Sequence, residues 1–156
     1  MEIRELTTED VQSYQKKITE LICENFMINF PFICGADQMA EEKYLDVVRF
    51  KEDGSAVLYG AFEKTIIGFL WAYEREVLGE KRLHLTNLIV DSNVRGKGIG
   101  RALIEKLHAA ALERKVRKIE LWATMSNENA VSFYRKCGYD IRRIQMEVEI
   151  GGDDAD

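Results

Sequence analysis

The sequence predicts a mixed α/β fold in which a twisted sheet is flanked by helices. The first observation is that apolar residues recur with period two in some segments and with helical period in others, and that the two kinds of segment alternate along the chain. The second is a glycine-rich run between an apolar strand-like segment and a strongly helical one. The third is size, since 156 residues with 46% hydrophobic side chains can build one packed core.

The N-terminal half is predicted to begin with a short strand and two helices. Thr7 and Asp10 resemble a capping box, after which a helical stripe continues to about Asn25. Phe26 to Gly35 is predicted to be an aromatic loop that carries the single proline, Pro31. A second, weaker helix and two alternating strands follow, and the predicted elements of this half span residues 3–6, 7–25, 36–50, 56–62 and 65–76.

The C-terminal half is predicted to contain three strands and two helices. Asn127 suits the N-cap of the last helix, and Gly138 suits the position after its end. The order of elements is therefore βααβββαβαβ, and this half contributes residues 83–90, 102–114, 118–123, 127–137 and 139–149. With no repeat, linker or low-complexity segment, residues 1–150 are predicted to form a single domain, and 151–156 an acidic tail.

The composition and the spacing of cysteines and histidines disfavour several classes of partner and site. The net charge of −5 disfavours nucleic acid as a partner, and no apolar run reaches the length of a membrane span. The start of the chain has no basic and apolar leader, and the three cysteines are widely spaced, so we expect reduced thiols in the cytoplasm. Two distant histidines and unpaired cysteines predict no metal site.

The run Arg95-Gly96-Lys97-Gly98-Ile99-Gly100 is predicted to bind phosphate. Glycines let the backbone approach an anion, and the first turn of the following helix offers unpaired N–H groups. The cations Arg95, Lys97 and Arg101 also favour negative charge. Neither the dinucleotide-binding spacing G-x-G-x-x-G nor the Walker spacing is present.

Two motifs in order resemble the GNAT superfamily of acyl-CoA-dependent N-acetyltransferases. The first is R-x-x-G-x-G at Arg95, Gly98 and Gly100, and the second is N-x-x-A-x-x-x-Y-x-x-x-G-[FY] from Asn127 to Tyr139. The resemblance covers residues 83–139 well and the first 50 residues only in outline. It implies a GNAT-like fold, with a central twisted mixed sheet that is splayed between strands 4 and 5.

The resemblance also implies direct transfer of the acetyl group of acetyl-CoA to an amine. Tyr134 would be the catalytic acid, because a phenol is protonated at pH 7 and can protonate a departing thiolate. Asn127 would hold the pantetheine arm of acetyl-CoA or a nearby water. The remaining predicted cofactor contacts are the strand residues Leu88, Ile89 and Val90 and the loop residues Arg95, Gly96, Lys97, Gly98, Ile99, Gly100 and Arg101.

The general base is left open by the sequence. Some relatives place a glutamate five residues before the motif asparagine, where this chain has Trp122. Others place the base four residues before the acyl contact, which gives His84 here, on the same face as Thr86 and Leu88 by the period of two of a strand. The favoured base is His84, and the alternatives are Glu120, Glu74, Glu76 or a water chain.

Aromatic residues are predicted to surround the acceptor cleft. Trp71, Tyr73 and Trp122 should border it while packing in the core, and Phe26, Phe30 and Phe32 could cover it. His108, on the helix after the loop, is predicted to be structural.

The partners implied are acetyl-CoA and an amine of a small molecule, peptide or protein, with no nucleic acid and no membrane. A non-catalytic acyl-CoA-binding regulatory module is the alternative function. The acceptor, the acyl preference beyond acetyl and the oligomeric state, including a homodimer, stay open.

Overall fold

The computed structural model describes residues 1–152 and has the predicted mixed α/β architecture. A 3₁₀ turn at Ser92–Val94 follows the fourth strand. The elements are β1 (Glu2–Glu5), α1 (Thr8–Ser13), α2 (Gln15–Asn29), α3 (Ala36–Glu52), β2 (Ala56–Phe62), β3 (Ile66–Val77), β4 (Glu80–Val90), α4 (Ile99–Glu113), β5 (Ile119–Leu121) and α5 (Glu128–Lys136).

The capping box at the first helix is confirmed, but that helix is shorter than predicted. Thr7 accepts a hydrogen bond from the Asp10 backbone N–H, and Asp10 accepts one in return. The predicted helix is divided at Tyr14, whose ring packs on Phe62 of β2 with centroids 5.5 Å apart. The prediction of a loop from Phe26 is also wrong, because Phe26 extends the buried stripe of α2 and packs on the core.

The sheet has the strand order β1-β2-β3-β4-β5, and only β4 and β5 are parallel. Pairing between these two strands is limited to Leu83, His84 and Leu85 against Ile119, Glu120 and Leu121. Residues 86–90 continue β4 without a β5 partner. The predicted splay between the fourth and fifth strands is therefore confirmed.

Two hydrophobic clusters sandwich the sheet. The first face of the sheet is covered by α1, α2 and α3, and includes Phe69, Trp71 and Ile89. The second face is covered by α4, and includes Leu70, Leu83 and Leu85. Because paired residues on neighbouring antiparallel strands point to the same side, the register assigns the paired β3 and β4 side chains to a face.

The prediction of a last strand at residues 139–149 is wrong for this structure. Within the described part of the chain, no strand follows α5. Tyr139 is held against α4 and α5, and the segment that follows lies exposed without a neighbouring strand to pair with. Most of the predicted acidic tail, residues 153–156, lies outside the described residues. No helix within residues 1–152 has the length and apolarity needed to cross a membrane.

Candidate functional site

The glycine-rich loop connects β4 to the N-terminus of α4. Gly96 and Gly98 have φ values of +81° and +73°, and a Cβ built on either would meet no atom within 4 Å. Their need for glycine is therefore conformational, since L-residues disfavour positive φ. Gly100 is different: its φ is not positive, and its Cβ would make an ordinary contact, 3.4 Å from the Phe133 ring, so α5 packs beside this position of α4.

The first turn of α4 presents free backbone donors. The Ala102 N–H donates to the Gly98 carbonyl at 3.0 Å, which closes the first helical turn. The N–H groups of Ile99, Gly100 and Arg101 precede that bond and have no acceptor within the helix. Together with the helix dipole, they form a site suited to an anion.

The three predicted cations differ in what they contact. Arg95 donates from Nε to the Val90 carbonyl at 3.1 Å and from Nη2 to Glu24 of α2 at 2.9 Å. Arg101 lies 3.6 Å from Glu105 and is largely exposed, as is Lys97. Arg95 therefore ties the loop to β4 and α2, whereas Lys97 and Arg101 extend from the loop and the first turn of α4 into solvent.

A β-bulge changes the faces of β4 at the centre of the site. Trp71 pairs with Asn87 and Ala72 pairs with Leu85, which leaves Thr86 without a partner in β3. The extra residue shifts the alternation by one. The prediction that His84 and Leu88 share a face is therefore wrong: His84 lies on the first face, opposite Tyr73, and Leu88 packs on the second.

His84 is 5% exposed and is surrounded by aromatic rings. Its imidazole makes an edge-on contact with Trp122 at 4.8 Å and a tilted one with Tyr73 at 5.5 Å. Burial lowers the pKa of His84 below its ordinary value; the charge of Glu120 opposes this, and the cations Arg75 and Lys43 reinforce it. His84 is therefore a neutral imidazole at pH 7, able to accept a proton.

Glu120 is the nearest carboxylate to His84. Its Oε1 lies 3.8 Å from His84 Nδ1 and 3.3 Å from Arg75 Nε, and its Oε2 lies 3.9 Å from Arg82. These are ion-pair distances without hydrogen-bond geometry, because Oε1 has no hydrogen-bond partner in the described chain. The structure thus brings two of the predicted bases, His84 and Glu120, into one cluster.

Unpartnered buried polar atoms concentrate around this cluster. Buried polar groups are nearly always hydrogen-bonded, so a group of exceptions on neighbouring strands indicates a place where a polar molecule binds. Among the described residues these atoms are Trp71 Nε1, Arg82 Nε, His84 Nδ1, Thr86 Oγ1, Asn87 Oδ1 and Glu120 Oε1.

Tyr134 packs on the second face of the sheet, whereas His84 lies on the first. The Tyr134 ring makes edge-on contacts to Phe133 at 5.2 Å and Tyr139 at 5.7 Å. Burial raises the pKa of Tyr134 well above that of a free phenol. The hydroxyl is therefore protonated throughout the physiological pH range.

Asn127 caps α5 as predicted and also links it to α2. Its Oδ1 accepts from the Ala130 N–H at 3.2 Å, and its Nδ2 donates to Asn29 Oδ1 at 3.0 Å. Asn29 in turn donates to Asn25. The two helices are thereby connected by side-chain amides at the predicted cofactor arm.

The other predicted residues are dispersed. Glu74 hydrogen-bonds Arg114 at 2.9 Å and contacts Lys81 at 3.4 Å. Burial tends to raise the pKa of Glu74, but these two cations lower it overall, which makes it a poor base. Glu76 is exposed on the hairpin, away from His84. His108 bonds the Tyr139 hydroxyl at 3.1 Å, a structural contact.

The aromatic predictions are only partly met. Trp71 is buried at 1% exposure and Tyr73 is half-buried. Trp122 is 80% exposed, which contradicts its predicted packing in the core. Phe30 and Phe32 are exposed on the loop before α3.

Sequence reasoning missed the contribution of α2. Lys17 pairs with Asp91 at 2.9 Å, and Glu24 pairs with Arg95, so α2 holds both ends of the turn that leads into the loop. The hydrogen bond from Lys17 lowers the pKa of Asp91. The spacing of seven between Lys17 and Glu24 places them on one helical face, but nothing in the sequence indicates the partner of that face.

Comparison with known proteins matches residues 16–139 to the family model described as Acetyltransferase (GNAT) family. An uncharacterised N-acetyltransferase of Archaeoglobus fulgidus is 31% identical over 121 residues, which cover 70% of this chain and 78% of that protein. Several other curated relatives match over shorter segments, which span 35%, 30% and 25% of their own lengths.

Solved structures share the fold at low sequence identity. A GCN5-related N-acetyltransferase from Ralstonia eutropha superimposes with a TM-score of 0.77 at 22% identity, covering 97% of this chain and 99% of that one. An aminoglycoside acetyltransferase from an uncultured soil metagenomic sample, in complex with sisomicin, superimposes with a TM-score of 0.70 at 18% identity, covering 96% and 95%.

Proposed function

Because the chain belongs to the acetyltransferase (GNAT) family, we propose that it transfers the acetyl group of acetyl-CoA directly to a primary amine of a small molecule, peptide or protein. One observation carries this proposal. The unpaired amides of the α4 N-terminus lie directly after the part of β4 that β5 leaves open. An anion-binding turn beside an open strand edge suits a long ligand with a phosphate end and an amide-containing arm.

The residues present fit acetyl-CoA. The amides of Ile99, Gly100 and Arg101, with Lys97 and Arg101 as cations, would hold the pyrophosphate. The free backbone edge of residues 88–90 would hydrogen-bond the arm, and Asn127 would flank it. Acetyl-CoA supplies the acetyl group in activated form as a thioester.

The acceptor amine would bind on the first face of the sheet, beside His84. Nδ1 of His84 faces Glu120, which leaves Nε2 to accept the proton that the amine must lose. The negative charge of Glu120 stabilises the imidazolium that forms. The lowered pKa keeps the imidazole unprotonated before the reaction.

Tyr134 would hold the proton that the departing sulfur takes. His84, the proposed base, lies on the first face of β4, and Tyr134, the proposed acid, packs against the second. In this arrangement the unprotonated amine approaches from the first face, and the C–N bond forms as the C–S bond breaks. His84 gains one proton and Tyr134 loses one, and exchange with solvent restores both.

We also propose that residues 1–150 act as one domain in the cytoplasm. The two clusters share one sheet. The three cysteines Cys23, Cys34 and Cys137 are free, as expected of a reducing compartment.

The first experiment tests the phosphate loop with a matched pair of glycines. Gly98 and Gly54 both have positive φ, +73° and +80°, and open space at Cβ, so aspartate strains both equally. We expect Gly98→Asp to abolish CoA binding in calorimetry, because it adds a negative charge at the anion site. Gly54→Asp, at the turn before β2, should bind CoA like wild type.

Unchanged CoA affinity in a folded Gly98→Asp protein would contradict the assignment of the loop. Turnover is measured separately, as thiol release from acetyl-CoA with a panel of amines. Tight CoA binding without turnover of any amine would instead support the non-catalytic module.

A further inference from the structure

Two arginines lie directly opposite each other on the first face of the sheet. Arg75 of β3 pairs with Arg82 of β4, and the next pair along that face is Tyr73 with His84. Like charges in directly opposite positions destabilise a sheet, so such a pair needs a compensating anion. Among the described residues, Glu120 is the one carboxylate within ion-pair distance of both arginines. One anion thus faces two cations, and positive charge is left over beside the proposed base.

The hydrogen-bond donors of this pair are largely unused. Arg75 Nε lies 3.3 Å from Glu120 Oε1, an oxygen without a hydrogen-bond partner in residues 1–152, and Arg82 Nη1 lies 3.9 Å from Oε2. Glu80 lies 3.8 Å from Arg82 but is hydrogen-bonded to Lys118 at 3.0 Å. Arg82 Nε is buried and, in the same part of the chain, has no partner. A guanidinium in this state offers the planar fork of N–H donors that binds a carboxylate or a phosphate.

The positive charge belongs to this face rather than to the whole molecule. The chain carries a net charge of −5. The pKa of His84 nevertheless responds to two cations, Arg75 and Lys43, and to one anion, Glu120. Lys43 extends from α3 over the Trp71 ring, with Nζ 5.9 Å from the ring centroid. A face with this surplus repels an acceptor that carries several amines and attracts one that carries a negative group.

The two ends of the face differ in what they can bind. At one end, His84 Nε2 and the buried Asn87 Oδ1, which has no partner among the described residues, can accept hydrogen bonds from an amine. At the other end the arginines can only donate. Arg82 precedes His84 by two residues, about 7 Å along β4. Because Glu120 lies within 3.9 Å of both side chains, one small molecule can contact both ends, and Arg82, at 22% exposure, is open to a solute.

On the basis of the acetyl transfer proposed above, we propose that the acceptor is a small primary amine with a carboxylate or phosphate a few bonds from its nitrogen. Arg82 binds that anion and holds the nitrogen at His84. Arg75, whose Nε is the nearer to Glu120, compensates that carboxylate and leaves Arg82 free for the ligand. The bound anion also relieves the repulsion between the two arginines across the strands. Arg82 is thus a specificity residue for the acceptor.

Binding is tested without turnover by NMR of the His84 imidazole, in the absence of acetyl-CoA. The chain has two histidines, so the signal that is lost in His84→Gln identifies the right one. β-Alanine and γ-aminobutyrate should shift this signal saturably, whereas their amides should not do so at the same concentrations. O-Phosphoethanolamine compared with ethanolamine tests phosphate in the same way. The anion that binds more tightly identifies the group that the site recognises.

Substitutions then locate the anion. Arg82→Gln should weaken binding of the anionic amines about 10-fold or more, because it removes charge-assisted hydrogen bonds. Arg82→Lys keeps the charge without the planar fork, so its affinity should lie between the two. Arg117→Gln removes the same charge from an exposed position before β5 and should bind like wild type. Far-UV circular dichroism checks that all three variants are folded.

Turnover is compared as kcat/KM for each anionic amine and its neutral counterpart, referred to the unprotonated amine. Wild type should prefer the anionic amine at least about 10-fold, and the preference should disappear in Arg82→Gln and persist in Arg117→Gln. Equal turnover of both would overturn this acceptor class and leave acetyl transfer intact. Absence of any acetylation would contradict the proposed function, and the anion site would then stand or fall with the His84 signal.

Three results of the NMR experiment would overturn the proposal whatever the turnover. They are a His84 signal that no anionic amine shifts, equal affinity in wild type and Arg82→Gln, and a shift that only acidic peptides produce.

Discussion

The molecule consists of two regions that are packed very differently. In residues 1–116, two clusters enclose the sheet, and Phe69, Trp71 and Leu103 are at most 1% exposed. In residues 117–150, no residue belongs to the buried core, and the apolar side chains of Trp122, Met146 and Val148 are at least 80% exposed. The first region satisfies its own apolar surface, whereas the second leaves much of its apolar surface in water.

Because the two regions differ in packing, they are expected to contribute unequally to folding stability. The first region supplies a rigid sheet that fixes His84 and the open edge of β4. The second region supplies Tyr134 and Asn127. Apart from His84 and the loop that follows β4, we therefore expect substitutions in the first region to act mainly on folding, and those in the second mainly on turnover.

The sharpest test of this separation compares two tyrosines that each lose a hydroxyl. Tyr134→Phe should lower kcat by about 10² to 10⁴, the range for a positioned acid, with little change in stability. Tyr44→Phe removes a hydroxyl that donates to the Val11 carbonyl at 3.0 Å, so it should cost about 1 kcal/mol of unfolding free energy and leave kcat unchanged. Wild-type turnover in Tyr134→Phe would return that residue to a packing role.

Two phenylalanines test packing directly. Phe69 is fully buried in β3, and Phe133 is half-buried on α5. Phe69→Ala should lower the free energy of unfolding by about 3–5 kcal/mol, because it leaves a cavity in the core. Phe133→Ala should cost clearly less. Equal losses in urea unfolding would show that the two regions are packed alike.

The base is tested by the pH dependence of turnover. Because the pKa of His84 is lowered, kcat/KM should rise with pH through a limb below the ordinary histidine value of about 6.5. With an acceptor amine that is already unprotonated at neutral pH, the rate should stay level above that limb past neutrality, because Tyr134 keeps its proton. His84→Gln should lose about 100-fold at neutral pH and lack the limb.

If kcat/KM of His84→Gln still rises with pH as in wild type, His84 is excluded as the base and Glu120 is the next residue to test. A purely structural His84 would give a different result, with lower thermal stability and an unchanged pH profile.

The smallest effects should come from the two N-caps. Thr7→Ala and Asn127→Ala each remove a cap worth about 1 kcal/mol. We expect Thr7→Ala to lower global stability by that amount, because α1 belongs to the densely packed region. Asn127→Ala should mainly increase hydrogen exchange within α5, since that helix is the less tightly held. A uniform loss of protection in both variants would contradict two regions of unequal packing.

Much of the fold could be predicted because local signals agree with it. The capping box at Thr7, the cap at Asn127 and the turn glycines Gly96 and Gly98 act through their immediate neighbours, so spacing alone identifies them. The predicted end of α2 was wrong because the residues around Phe26 carry no local helix signal. The helix continues past Phe26 because that side chain packs on the core, a contact that the sequence does not show.

The site was less predictable because its geometry depends on distant partners. The pairing of Glu24 with Arg95 and of Glu120 with His84 joins segments far apart in the chain. The bulge at Thr86 follows from the register between two strands, which no pattern within β4 encodes. The segment 139–149 has the pattern of a strand, but pairing requires a neighbour that the pattern does not specify.

The bulge at Thr86 also determines which mutations β4 can tolerate. Substitutions leave the count of residues intact, so the two faces of β4 can change in composition independently of each other. A single-residue deletion between His84 and Leu88 would restore strict alternation and exchange the two surfaces downstream of it. In relatives with this architecture, the length of this strand should therefore vary far less than its composition.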